Sequence, residues 1–227
     1  MNDSTRVIDE AIGADMAQPF GTGKEPGEQG SVEWLMERVG FCTASRFKDV
    51  LDFTKKGDAG AKRKAYLWEL TIERINGRPV QHFESAAMQH GTQFEPDARM
   101  AYEAFTGNMV METGFHKPIS LPMIGGSPDG LIDDDGGIEI KCPFNSANHL
   151  ACFLDGVPDE HIAQCQGLMW ILDRKYWDFV SYDPRFDAPL NLFISRIERD
   201  EEYITNLYIQ MKKFNAEVSA LVLRLKG

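Results

Sequence analysis

No apolar run in this 227-residue chain approaches the roughly 20 residues that a bilayer-spanning helix requires. The longest, Gly167 to Leu172 and Leu221 to Leu223, fall far short, so a chain without membrane spans is expected. Cysteine is scarce. The four residues, Cys42, Cys142, Cys152 and Cys165, form no Cys-x-x-Cys pair and have no clustered histidines beside them, which argues against a structural zinc site and for buried thiols. The N-terminus lacks the charged start, apolar core and small-residue cleavage site of an export signal. The expected compartment is therefore the cytoplasm, where thiols stay reduced. Repeats and low-complexity tracts are also missing. With 43% apolar and 26% charged residues, 14 Phe and 4 Trp, the composition excludes collagen-like, wholly disordered and disulfide-scaffold classes.

Basic residues are in the minority: 24 against 35 acidic, a net charge of −11. At first sight that speaks against a polyanionic partner. The charge is uneven, however, because residues 35–80 carry 10 basic and 6 acidic side chains while both flanking stretches are acidic. A basic segment can hold a polyanion if its charges converge, and divalent metals would neutralise some of the carboxylates. The alternative is a solvated helix face.

Residues 1–30, rich in glycine and poor in large apolar side chains, read as a flexible segment ahead of a single domain spanning 31–227. Ser31 is a candidate N-cap for a helix through Arg38, and Thr43-Ala44-Ser45 is expected to open a second. Ala61 to Ile75 reads as an amphipathic helix with Lys62, Arg63, Lys64 and Arg74 on its polar face, followed by a long helix over Ser85 to Phe105. The period then changes to two. Val110 to His116, Leu121 to Gly126, Gly130 to Asp133 and Ile138 to Cys142 read as a four-strand meander. Helices over 146–154 and 159–172, strands over 177–182 and 192–197, and a last helix over 200–225 complete an α/β order. In that last helix Leu207, Met211, Phe214 and Val218 recur at helical spacing and read as core.

The chemistry concentrates in Ser127-Pro128-Asp129-Gly130 and Glu139-Ile140-Lys141. On a strand, Glu139 and Lys141 share one face while Ile138 and Ile140 point to the other. A turn at Asp134 to Gly137 would fold the two segments together and bring Asp129 beside Glu139. Two hard oxygen ligands and a strand carbonyl suit Mg²⁺. A neighbouring ammonium can orient or deprotonate an attacking water and stabilise developing charge. A salt-bridged surface ladder would show the same Glu-x-Lys spacing.

Beyond that triplet, Ser-Pro-Asp-Gly-Leu (127–131) and Gly-Ile-Glu-Ile-Lys-Cys-Pro-Phe (137–144) resemble the active site of the lambda exonuclease and YqaJ-type viral recombinase family, within the PD-(D/E)xK nuclease superfamily. Further blocks agree in order: Glu33-Trp34 to Arg38 with Val39 to Ser45, Gly91 to Arg99, Ala163-Gln164-Cys165-Gln166 to Trp170, and Tyr182-Asp183-Pro184-Arg185. The resemblance implies an α/β, restriction-endonuclease-like core with a central mixed β-sheet flanked by helices. It implies a Mg²⁺-dependent 5′ to 3′ exonuclease that releases 5′ mononucleotides from one strand of linear duplex DNA and leaves a 3′ tail for annealing-type recombination.

By the same resemblance, Asp129, Glu139 and the carbonyl of Ile140 hold one metal, Glu95 joins a second, Mn²⁺ substitutes for Mg²⁺, and Lys141 serves the water. For Glu95 the alternative is an i,i+4 partner of Arg99, with Pro96 starting or kinking a helix there. Arg38, Ser45 and Ser127 resemble a 5′-phosphate pocket beside the helix start at Thr43. Where the family pattern has an arginine shortly after Cys-Pro-Phe, this chain carries Ala147. The alternative for Arg38 is a surface pair with Glu33 or Asp49. Met88 falls where relatives place an apolar wedge against the terminal base pair, with a core methionine as the alternative, and Gln164 falls on a glutamine in a helix near the site, placed to touch a metal-bound water or the scissile strand, with packing as the alternative. The implied partners are double-stranded DNA ends, two further copies in a homotrimeric ring and a single-strand annealing protein. An endonuclease of the same superfamily and a non-catalytic DNA-end-binding module remain as other readings.

Overall fold

A computed structural model describes residues 29–80 and 85–227; the expected flexible segment lies almost wholly outside them. Ser31 caps α1 (Val32–Glu37), its hydroxyl accepting from the Trp34 amide at 3.2 Å. The chain then forms β1 (Cys42–Thr43), a 3-10 turn (Ala44–Arg46) and α2 (Phe47–Val50). The helical segment expected to open over Thr43-Ala44-Ser45 starts as that 3-10 turn, with Thr43 at its N-cap position, and becomes α-helical at Phe47. Thr43 is extended because its backbone pairs with Gly125, and its side chain caps nothing.

The long helices α3 (Ala61–Asn76) and α4 (Ala86–Thr106) end at Gly77 and Gly107, with φ of 67° and 75°. That left-handed conformation carries no Cβ penalty in glycine. Ser85 caps α4 through the Met88 amide at 3.2 Å. Pro96 neither starts nor ends α4; it sits inside the helix, which forgoes one backbone bond there.

Strands β2 (Val110–Met111), β4 (Gly130–Ile132), β5 (Gly136–Lys141), β6 (Tyr176–Tyr182) and β7 (Leu192–Glu198) form one mixed sheet in the order β2-β4-β5-β6-β7. Only β5 and β6 run parallel. Helices α5 (Ser146–Asp155) and α6 (Asp159–Leu172) make the crossover between them, as a parallel connection demands. The four-strand meander is not what forms. Its second member shortens to β3 (Ile124–Gly125) and leaves the main sheet to pair in parallel with β1, and its first shortens to β2. Pro118 and Pro122 have no N–H to offer a ladder, which limits pairing across this stretch.

Two apolar clusters sandwich the sheet. On one face Ala98 and Tyr102 of α4 pack on Ile132, Ile138, Ile140 and Val180. On the other, Leu168 and Met169 of α6 join Phe47, Tyr66, Trp177 and the buried stripe Leu207, Met211, Phe214 and Val218 of α7 (Glu201–Lys226). Close approach is built in by glycine: a Cβ on Gly137 would collide with the Trp177 indole, and one on Gly167 with the Phe47 ring. All four cysteines are free and buried.

The basic face expected of α3 is divided. Lys62 and Lys64 are exposed, but Arg63 is 5% exposed and makes a bidentate pair with Glu217 at 2.8 and 2.9 Å. Arg74 turns inward to the Gly40 carbonyl at 2.8 Å.

Candidate active site

The β4–β5 hairpin assembles the central cluster. Its register pairs Gly130 with Ile138, so Asp129, one residue before β4, lies beside Glu139, and its Oδ2 accepts the Ile140 amide proton at 2.7 Å. Ile138 and Ile140 are consumed by the α4 face of the core. Strand alternation therefore sends Glu139 and Lys141 to the opposite face, where α6 brings Gln164. Glu139 is fully buried. The Lys141 ammonium donates to its Oε1, and Gln164 Nε2 donates to Oε2 at 2.7 Å.

Electrostatically the cluster is short of positive charge. Burial, then the neighbouring charge of Asp129, push the Glu139 carboxyl up to about 8, with Glu95 adding to the rise. Asp129 is also raised, chiefly by desolvation, although Lys141 and the Ile140 amide oppose it. Desolvation would lower the Lys141 ammonium, but the two carboxylates outweigh it and raise the group. Two carboxylates facing one ammonium leave a deficit of one positive charge.

Glu95 lies on α4 and takes Arg99 Nη2 at 3.4 Å, the i,i+4 pair; Arg99 also binds Glu112. Its charge nonetheless acts on Glu139 and Cys142. Among the described residues no three Asp, Glu, His or Cys side chains stand as a formed metal cage. The donor set itself, all oxygen with an uncompensated negative charge, is what a hard divalent cation prefers.

A second group of residues is tied to the first through Ser127, two positions before Asp129. Arg38 Nη1 and Trp34 Nε1 both donate to Ser127 Oγ at 3.0 Å, and the Arg38 guanidinium stacks 3.9 Å over the Trp34 ring. Trp34 and Arg38 are four apart on the α1 turn, so one face carries both. Burial lowers Arg38 to about 10. Neither Glu33 nor Asp49 is its bonded partner; Asp49 takes Arg46 at 2.5 Å. Arg38 opens into a cavity of about 200 Å³ that Thr43, Ser45 and Arg46 also line, with the Thr43 and Ser45 hydroxyls 3.4 Å apart.

Met88 stands on the first turn of α4, 55% exposed, which removes the core alternative. Ala147 is exposed near the start of α5. Arg185 does not replace the arginine missing there, since it is spent on Asp183 and on the Pro143 and Phe144 carbonyls at 2.9 Å. Sequence reasoning assigned no role to Trp34 or to the Glu139–Gln164 bond. The i,i+4 spacing of Trp34 and Arg38 was the available signal for the first; nothing in the sequence announces the second.

The YqaJ-like viral recombinase domain profile matches residues 33–175. The chain belongs to that family. The match contains the cluster, Gln164 and the Trp34–Arg38–Ser127 group. An alkaline exonuclease (LHK-Exo) from Laribacter hongkongensis is 40% identical, with 86% of this chain and 95% of that one covered at a TM-score of 0.78. LHK-Exo in complex with dAMP gives 41%, the same coverage and 0.79. A phage related exonuclease from Haemophilus somnus 129PT, 15% identical over 82% of this chain and 96% of that one with a TM-score of 0.65, shares the fold. No curated protein matches the chain. This YqaJ-like chain thus has the central mixed sheet flanked by helices that its sequence implied. No helix among its described residues is long and apolar enough to cross a membrane.

Proposed function

We propose that this protein is a magnesium-dependent exonuclease that degrades one strand of linear duplex DNA from its 5′ end, releasing 5′ mononucleotides and leaving a 3′ tail for annealing-type recombination. The observation that carries the proposal is the union, through Ser127, of a charge-deficient carboxylate cluster with a half-buried arginine free of any bonded carboxylate. The solved relatives at 40 and 41% identity, an alkaline exonuclease alone and with dAMP, support it.

Asp129, Glu139, the Ile140 carbonyl and Glu95 would hold two magnesium ions, with manganese as a substitute. Held there, such ions would supply Lewis-acid charge to the phosphoryl transfer. Lys141 orients the attacking water and offsets negative charge growing on the phosphoryl group. Gln164 keeps the Glu139 carboxylate turned toward the cluster. The water oxygen bonds to phosphorus as the bond from phosphorus to the 3′ oxygen breaks, and the proton lost by the water ends on the departing 3′ hydroxyl. Each cycle leaves a new 5′ phosphate on the shortened strand. Arg38, Ser45 and Ser127 grip that group, beside the backbone of Thr43, and Met88 wedges against the terminal base pair.

The same reading places residues 31–227 in one nuclease domain acting in the cytoplasm. It sets three copies in a ring, which focuses the positive residues on DNA despite the net charge of −11, and it supplies 3′ tails to a single-strand annealing protein. The test is digestion of 5′-phosphorylated, 5′-hydroxyl and covalently closed duplexes with and without Mg²⁺. Mononucleotides from linear DNA alone are expected. Cutting of closed circles indicates an endonuclease, and binding without release indicates a non-catalytic module.

A further inference from the structure

Six arginines of this chain, Arg46, Arg63, Arg99, Arg185, Arg196 and Arg199, are tied to carboxylates. Lys117 is not: among the described residues no carboxylate lies within ion-pair distance of it. Its ammonium instead stands 4.7 Å from the Phe41 ring centre and 5.7 Å from that of Phe115. The Phe115 ring is shared, with the Arg38 guanidinium 5.6 Å from the same centre. Phe41 and Phe115 meet edge to face at 5.5 Å, so two cations are held against one aromatic pair.

The backbone fixes this arrangement. His116 and Gly126 exchange both amide bonds, at 2.8 and 2.9 Å. Gly126 immediately precedes Ser127, to which Arg38 is bonded, and the antiparallel register sets Phe115 beside Ser127. From the shared ring, the Lys117 nitrogen and the Arg38 guanidinium carbon are no more than about 11 Å apart. Lys117 is exposed, and its flexible stem can close that gap onto a shared ligand. Aromatic faces favour a cation without neutralising it, so the full charge remains available.

We infer that Lys117 is the second cation of the Arg38 pocket and sets its selectivity for a terminal phosphate over an internal phosphodiester. The argument is charge matching. A terminal phosphate carries a charge of about −1.5 to −2 at neutral pH, whereas an internal diester carries one negative charge. Arg38 shares its cavity with Arg46, Glu69 and Glu73, so the two acids offset the two arginines; Lys117 adds one further positive charge, which favours the monoester as the more negative ligand. The inference rests on the nuclease reading above and adds to it a residue outside the motifs that suggested it.

The test compares kcat/KM for 5′-phosphorylated and 5′-hydroxyl forms of one linear duplex, in Mg²⁺, for the wild type, Lys117→Gln and Lys117→Arg. The side chain is at the surface, so both variants should fold. Lys117→Gln should cut the phosphate preference about tenfold, the scale of one charge-assisted hydrogen bond, mainly through KM. Lys117→Arg should restore it, and added salt should erode the preference faster in the wild type than in Lys117→Gln. An unchanged ratio in Lys117→Gln overturns the inference, and so do equal losses on both substrates, which indicate a general backbone contact. A wild type that degrades both ends equally removes the terminal-phosphate pocket itself. A wild type that releases no nucleotide from either removes the nuclease reading, and this inference with it.

Discussion

Neighbouring strands of the sheet each bury a carboxylate, and they treat it in opposite ways. On β6, Asp178 is 3% exposed and receives two bonds from Arg196, at 2.8 and 3.0 Å, and a third from the Tyr102 hydroxyl at 2.7 Å. One negative charge meets one positive charge in fork geometry, which is how a buried carboxylate is made harmless. On β5, one strand away, Glu139 shares a single lysine with Asp129 and is pushed up to about 8 by burial and by that neighbour. The fold thus demonstrates, next door, how to neutralise a buried acid, and leaves the Asp129–Glu139 pair uncompensated. Such a deficit costs stability, and strongly perturbed carboxylates of this kind gather at functional sites.

The largest expected effect breaks the β5 side of the comparison. Glu139→Gln should lower kcat about a thousandfold or more, since several kcal/mol of charge stabilisation are lost with the ligand. It should leave Tm equal or higher, because the repulsion with Asp129 goes. A Ca²⁺ titration followed by Tm sharpens the point. Calcium should stabilise the wild type without supporting turnover, and should stabilise Glu139→Gln less. Near-normal activity in folded Glu139→Gln would remove the cluster from the chemistry.

Arg38→Ala comes next. It should reduce kcat/KM on 5′-phosphorylated ends roughly a hundredfold, the scale of a lost bidentate charge contact, with little change on 5′-hydroxyl ends. Equal losses would make Arg38 a general backbone contact.

Asp178→Ala tests the other strand and should behave inversely. Removing it strands the Tyr102 hydroxyl and the guanidinium of Arg196, which is 46% exposed. That partial exposure limits the loss to about 2 kcal/mol, visible in urea titration, with activity per folded molecule retained. Loss of activity in folded Asp178→Ala would show that the two clusters are coupled.

How much of this was legible in the sequence follows the same division. Glu139 and Lys141 could be placed on one face because strand alternation leaves Ile138 and Ile140 only the other. Asp129 followed from the hairpin turn, and the stripe on α7 from helical spacing. These are local rules. The failures were non-local: β3 left the expected meander because Cys42–Thr43, more than 80 residues earlier, offered it a parallel partner. Arg63 was read as solvent-facing because Glu217, which draws it inward, lies 154 residues away. Arg38 found Ser127 across 89 residues, a contact no periodicity announces, and Lys117 acquires its meaning only once Phe41 and Phe115 are seen together.

The smallest effect isolates one bond of the β5 cluster. Gln164 Nε2 reaches Glu139 Oε2 at 2.7 Å from α6, a contact that supports a positioning role. Gln164→Ala removes one hydrogen bond to a charged oxygen, worth about 1.5 to 3 kcal/mol in full. Lys141 still holds the other oxygen, so the expected loss is about tenfold in kcat with KM for DNA unchanged. If the role is positioning, raising Mg²⁺ should recover part of that loss, because the released carboxylate remains available as a ligand and excess metal redraws it into place. A mere packing role predicts a lower Tm with no dependence on magnesium concentration. Gln164→Glu separates the two further. It keeps the volume but sets a third carboxylate against a pair already short of positive charge, so without metal its Tm should fall below that of Gln164→Ala, and saturating Mg²⁺ should narrow the difference.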